Sequence, residues 1–247
     1  MFGGESGAAS AAGEWDDPTP ANPRSQHGSA CYLARMKILD AKFVGAFMDP
    51  AKCPSDRPGI VFTGRSNVGK STLLNRVLNR AIARTSKTPG RTRQLIYFAV
   101  ERAKGKPFYL VDLPGYGYAS GPSAERERFS RAARALLADE RRVRAVLQLV
   151  DASVPWQESD LDMLDWLLGE PVPFALVYTK ADRTKRGPLA AKTQELKKLL
   201  PWREDATILT TSAKENEGIV GVRKWVEGVL ARNEDQRDEA GGSSNSA

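Results

Sequence analysis

Gly64, Arg65, Ser66, Asn67, Val68, Gly69, Lys70 and Ser71 have the types and spacing to bind phosphate. In the pattern G-x-x-x-x-G-K-S the glycines let the backbone curl until successive N–H groups point inward. A helix opening at Lys70 adds the partial positive charge of its N-terminus. The Lys70 ammonium would reach the terminal phosphates of a nucleotide, and the Ser71 hydroxyl would ligate Mg2+. An apolar run, Ile60-Val61-Phe62, stands before the loop and a helical pattern, Thr72 to Arg80, after it. These are the strand and helix such a loop requires.

Further clusters follow in order. Thr85 to Gln94 is a polar connection in which a threonine could complete the Mg2+ shell and sense the γ-phosphate. Thr92, just before the next strand, is the first candidate and Thr88 the second; Gly90, Arg91, Thr92, Arg93 and Gln94 are counted with the nucleotide site. Phe108 to Asp112 is an apolar run that delivers Asp112 at a strand's C-terminal end, where ligands of open α/β sheets bind. With Leu113, Pro114 and Gly115 it forms D-x-x-G. Asp112 would hold Mg2+ through a water, and the Gly115 N–H would contact the γ-phosphate. Thr179-Lys180-Ala181-Asp182 would set base identity. The Asp182 carboxylate accepts from guanine N1–H and N2–H2, a donor pair that adenine lacks, while the Lys180 stem covers the ring. That argues for GTP and GDP as ligands. Thr211, Ser212 and Ala213 fit a last loop whose Ala213 N–H would bind guanine O6.

Short apolar runs alternating with amphipathic stretches supply the frame, the signature of an α/β fold with a largely parallel sheet. Strands are expected at 60–63, 94–100, 108–112, 145–150, 174–178 and 207–210, and helices at 70–80, 124–138, 158–168, 188–199 and 219–232. The short polar connection Glu101 to Pro107 makes the second and third strands an antiparallel edge hairpin. The expected fold is a P-loop domain with a mostly parallel six-stranded sheet, one antiparallel edge pair and helices on both faces. Residues 1–30, rich in Gly, Ala, Ser and Pro, read as a flexible extension, and 233–247 as a disordered acidic and polar tail. The domain between them spans 31–232, with a lead-in strand or short helix before Pro58.

Composition narrows the chemistry. One histidine (His27) and two cysteines (Cys31, Cys53) give no soft metal site and no His-based catalysis. No apolar run approaches the roughly 20 residues of a membrane span, so a cytoplasmic protein with no membrane insertion is expected. The net charge of +7 is uneven: each terminal segment carries −3, leaving +13 in the middle. That excess points to a polyanion such as RNA, with a solvated basic surface as the alternative.

The sequence resembles the translation-factor-type GTPases, and within them the bacterial EngB family. Here GRSNVGKS is followed by TSKTPGRT, by DLPGYGYA in place of a plain D-x-x-G, by TKAD where most relatives have NKxD, and by SAK. The resemblance runs from about Ala41 to Val229, and Arg93 departs from it where relatives commonly run Thr-Gln directly. It implies a GTPase, monomeric, acting with large ribosomal subunit precursors and rRNA and needed for normal cell division and septation. A GTP-dependent scaffold acting directly in the division apparatus is the alternative, and sedimentation of extracts with GTP or GDP would separate the two. A P-loop kinase is weaker, because DLPG and TKAD would then be surplus.

In the Ras-like mechanism a glutamine after the D-x-x-G glycine orients the attacking water. Tyr116 stands there and has no amide, so slow hydrolysis is expected, with Lys70, Asn67, Thr92 and Gly115 as the catalytic set. Two readings stand for Asn67: a K+ ligand, as several relatives have, or a loop residue bonding to its own backbone. Arg91 and Arg93 are alternative cationic helpers. Tyr116 and Tyr118 either face a partner or pack under the loop.

Overall fold

The computed structural model describes residues 36–83, 94–116, 131, 133–139, 141–202 and 206–242, the last ten as backbone. All belong to one compact unit, Arg35–Ala247. Seven strands form one sheet: β1 (Ile38–Phe47), β2 (Gly59–Gly64), β3 (Leu95–Arg102), β4 (Phe108–Asp112), β5 (Val143–Asp151), β6 (Phe174–Thr179) and β7 (Thr207–Thr210). Their spatial order is β1-β3-β4-β2-β5-β6-β7. From β4 to β7 every pairing is parallel, while β3 runs antiparallel to both β1 and β4.

The central strands explain themselves. β2, β4 and β6 are buried at every position, the unbroken apolar pattern of parallel strands covered on both faces. On one face helices α1 (Lys70–Leu78) and α4 (Ile219–Gly242) pack Leu73, Leu74, Val77, Val222, Val226 and Val229 against Ile60, Phe62 and Leu147. On the other, a helical stretch at 133–137 packs with α2 (Glu158–Gly169) and α3 (Arg186–Leu199). There Leu136, Leu137, Leu164, Leu167 and Leu196 meet Val61, Val146 and Leu176.

The structure corrects several expectations. The sheet has seven strands rather than six, because the lead-in residues form β1 and a one-turn 3-10 helix, Pro50–Lys52. Consequently the β3–β4 hairpin is not at the edge; β1 lies outside it. β1 was ambiguous in sequence because register shifts between Ile38 and Asp40 and between Phe43 and Gly45 break its alternation. Pairing to β3 settles it, with the Phe43 and Phe98 rings edge to face at 6.1 Å. Helix α1 stops at Leu78, where Asn79 takes a left-handed conformation. Helix α4 continues past Arg232 to Gly242, since Asn233 to Ala240 contains no proline or glycine and each added residue gains a backbone hydrogen bond. Among the described residues no helix is long and apolar enough to cross a membrane. Cys53 is a buried free thiol.

Candidate functional site

The C-terminal ends of β2, β4, β6 and β7 bring four separate sequence motifs together in one groove, and β5 ends beside them at Asp151. β2 ends at Gly64, and the loop turns through Asn67 (φ 63°) and Gly69 (φ 101°) into α1. Asparagine tolerates the left-handed region better than other side-chain-bearing residues, which by itself accounts for its presence at 67. Gly69 caps α1 with that same conformation, aiming the helix N-terminus at the loop's hollow.

Phe62 of β2 and Asp112 of β4 are register partners, and this brings Lys70 to Asp112: Nζ lies 3.3 Å from Oδ1. Both side chains are nearly covered, at 12% and 9% exposure. Burial pushes the Asp112 carboxyl above the usual carboxylate range, opposed by the Lys70 ammonium and the Ser71 hydroxyl. Asp112 Oδ1 has that ion pair but no hydrogen bond among the described residues. A buried carboxylate oxygen short of donors, with a serine hydroxyl beside it, suits a hard cation bound through oxygen ligands and water. Mg2+ fits this position. The described residues hold no cluster of three or more His, Cys, Asp or Glu, nor does a Mg2+ held by a hydroxyl, waters and phosphates need one.

Leu113 is buried and its N–H donates to the Phe62 carbonyl at 3.0 Å; Pro114 is also buried. Gly115 sits directly on the phosphate loop. A Cβ there would come within 2.7 Å of the Ser66 nitrogen, so no other residue fits without a shift. The Ser66 N–H donates to the Tyr116 carbonyl at 3.2 Å, and its hydroxyl to the Gly115 carbonyl at 3.4 Å. Tyr116 packs inward. Its hydroxyl donates to Asp160 Oδ1 of α2 at 3.0 Å and accepts from the Gln148 amide of β5. Burial and the Asp160 charge push the phenol well above its usual pKa. Burial likewise pushes the Asp160 carboxyl up, against the hydrogen bond from Tyr116. The hydroxyl of the residue in the water-orienting position is therefore tied to Asp160 and Gln148.

On the base side Thr179 is buried, and its hydroxyl donates to the Val68 carbonyl at 2.7 Å. Lys180, left-handed at φ 55°, sends its ammonium to the Asn67 carbonyl and to Asp151 Oδ2, each at 2.7 Å. The Ala181 N–H donates to the Thr211 carbonyl at 3.1 Å, tying the two base-side loops together. Asp182 is held by the Ser212 hydroxyl at 2.7 Å, and this bond keeps its carboxyl below the usual range. Gly69, Thr72, Thr179, Lys180, Asp182 and Ala213 are among the walls of a cavity of about 180 Å3. An ionised acceptor with one hydrogen bond already fixing it is suited to a paired N–H donor.

Of the residues singled out in sequence, those from the phosphate loop, D-x-x-G, TKAD and SAK stretches all line or underlie this groove. Gln94 is exposed at the start of β3. Gly90, Arg91, Thr92 and Arg93, with Thr88 and Tyr118, lie outside the described residues. Sequence reasoning missed Asp151, Asp160, Gln148 and Lys192. Asp151 had a signal, as a carboxylate at the end of a predicted strand; a lone glutamine within an apolar strand had none.

Phosphate, metal and base positions in one groove behind a strand–loop–helix turn place the chain among the P-loop GTPases. Residues 59–180 match the family described as 50S ribosome-binding GTPase. The chain is 38% identical to the Thermotoga maritima "Probable GTP-binding protein EngB" over 199 residues, covering 80% of this chain and all of that one. It is 37% identical to the Aquifex aeolicus protein of the same description, covering 73% and 94%. A crystal structure of a probable GTP-binding protein EngB superposes with a TM-score of 0.55 at 25% identity, covering 70% and 99%. The chain belongs to the EngB family of GTP-binding proteins, and it hydrolyses GTP.

Proposed function

We propose that this GTPase is a switch in assembly of the large ribosomal subunit, acting in the cytoplasm as a monomer, with its effect on division and septation following from that role. The observation that carries the nucleotide reading is Asp182. Its carboxylate is fixed by Ser212 at the wall of a cavity that continues to the phosphate loop, an arrangement matched to guanine. The ribosomal reading draws support from the description of the matched family and from the +13 charge of the central segment, which suits rRNA.

Within this proposal Lys70 and the loop N–H groups hold the β- and γ-phosphates and offset the charge that develops on them. Ser71 and Asp112 would hold Mg2+, Asp112 through a water, and Thr92 would join them; the ion, when bound, neutralises phosphate charge. Gly115, pressed on Ser66, places the D-x-x-G backbone beside the same phosphates. Ala213 meets guanine O6, and Lys180 lies over the ring. With Tyr116 tied to Asp160 and Gln148, no side chain in its position orients water, and intrinsic turnover is slow. Asn67 remains the candidate K+ ligand; replacing K+ by Na+ in a turnover assay should slow hydrolysis, and equal rates would remove that role.

The test is sedimentation of cell extracts with a non-hydrolysable GTP analogue or with GDP. Co-migration with large-subunit precursors in the GTP-like state, released by GDP and weakened steeply by salt, is the expected result. A scaffold of the division apparatus would stay out of those fractions with either nucleotide.

A further inference from the structure

We infer that Asp151 is a positioning residue for guanine-nucleotide binding: its carboxylate holds the Lys180 ammonium where it clamps the phosphate loop to the base-recognition loop. The inference rests on the nucleotide site proposed above and adds a residue that none of the sequence motifs contains.

The two oxygens of Asp151 have separate tasks. Oδ1 accepts from the Ser153 N–H at 2.9 Å and from its hydroxyl at 2.6 Å, which fixes the carboxylate plane. Oδ2, thereby aimed across the sheet, accepts from Lys180 Nζ at 2.7 Å. Asp151 and Thr179 are register partners on β5 and β6, so the pair forms between adjacent strand ends. Lys180 Nζ then makes its second bond, to the Asn67 carbonyl in the phosphate loop, also at 2.7 Å. The lysine stem passes beside Gly69, where a Cβ would lie 3.8 Å from Lys180 Cε.

The connection that carries Asp151 is itself anchored. From α3, Lys192 Nζ donates to the Asp151 carbonyl at 2.8 Å and to the Val154 carbonyl at 2.6 Å, over the face of Trp156 at 4.7 Å. A lysine on a flexible four-carbon stem would otherwise sample many rotamers, and ligand binding would have to order it. Asp151 does that ordering in advance. Burial pushes its carboxyl up, yet the bonds from Lys180 and Ser153 bring it below the usual range, so it is charged when the clamp is needed.

The test uses the full chain and GDP carrying a fluorescent methylanthraniloyl group. Asp151→Ala should weaken binding about tenfold, the scale of one lost charge-assisted hydrogen bond, with kcat at saturating GTP within about twofold of wild type. Asp151→Asn keeps an acceptor oxygen and should recover part of the loss, to about threefold. Ser153→Ala, which removes one contact to the other oxygen, should stay within about twofold. In a Lys180→Met background Asp151→Ala should cost nothing further. Urea unfolding without nucleotide checks each variant's fold; if Asp151→Ala does not fold, Asp151→Asn in the two backgrounds gives the same answer. Wild-type affinity in Asp151→Ala, an equal loss in the Lys180→Met background, or a fall in kcat at unchanged affinity would overturn the inference while the nucleotide site stands. Failure of the wild-type protein itself to bind labelled GDP would instead remove the nucleotide site, and this inference with it.

Discussion

The two sides of the groove are built on opposite plans. On the base side Thr179, Lys180, Asp182, Thr211 and Ser212 each have hydrogen-bonded partners, and both aspartates there sit below the usual carboxylate range. On the phosphate side Arg65 Nε, Asp112 Oδ1 and Gln148 Oε1 are buried without a hydrogen bond among the described residues, and Asp112 and Asp160 are pushed up. A side whose polar groups are held in place by hydrogen bonds is preorganised to select a ligand. A side with buried groups short of hydrogen bonds keeps donors and acceptors for a ligand, cation or water. Under the function proposed above, base selection would rest on the first side, and chemistry and switching on the second.

The sharpest way to break this division is Lys70→Ala. Removing the phosphate-side cation should lower single-turnover GTP hydrolysis on the order of 10²- to 10³-fold; a loss of less than tenfold would move the chemistry elsewhere. Asp182→Asn strikes the other side. It exchanges two charge-assisted contacts for mismatched ones and should weaken GTP binding about 100-fold while xanthine nucleotide binding rises. Turnover at saturating xanthosine triphosphate should then approach the wild-type GTP rate, and unchanged GTP affinity would remove the base assignment.

Smaller effects sharpen the contrast. Tyr116→Phe deletes the hydroxyl shared by Asp160 and Gln148, so urea unfolding without nucleotide should show a loss of about 1–3 kcal/mol, with GDP affinity unaltered. The subtlest effect is in pH. Asp160 titrates above its unfolded value, with Arg65, Lys192 and Asp151 as the neighbouring charges. The folded state therefore takes up its proton first, and wild type should gain stability relative to Asp160→Asn as pH falls through that raised value toward about 4. Asp151 has the opposite sign. Its stabilisation is present above about pH 4 and is lost as pH falls through the lower folded value, so Asp151→Asn should converge with wild type in acid.

Much of the frame was legible because its physics is local. β2, β4 and β6 read as strands because burial on both faces demands unbroken apolar runs, and the phosphate loop because only glycine, lysine and a hydroxyl in that order do its chemistry. β1 was not legible as one definite element. Its register shifts remove the alternation, and pairing with β3 decides it. Nor was the inward turn of Tyr116, whose partners come from β5 and α2, 32 and 44 residues away along the chain. A phenol is equally at home on a surface or in a core, so its type alone cannot say which.

The sequence alone determined that this chain carries a P-loop, a D-x-x-G carboxylate and a guanine-type TKAD loop in GTPase order, because each task restricts residue type and short-range spacing. The tertiary structure decided how those pieces constrain one another: Lys70 on Asp112, Gly115 on Ser66, Tyr116 locked to Asp160, and Asp151 steering Lys180 back onto the phosphate loop. These contacts join loops and helices that leave strand ends neighbouring in the sheet but distant in the chain, and parallel pairing, which has no short-range signature in sequence, is what brings those ends together.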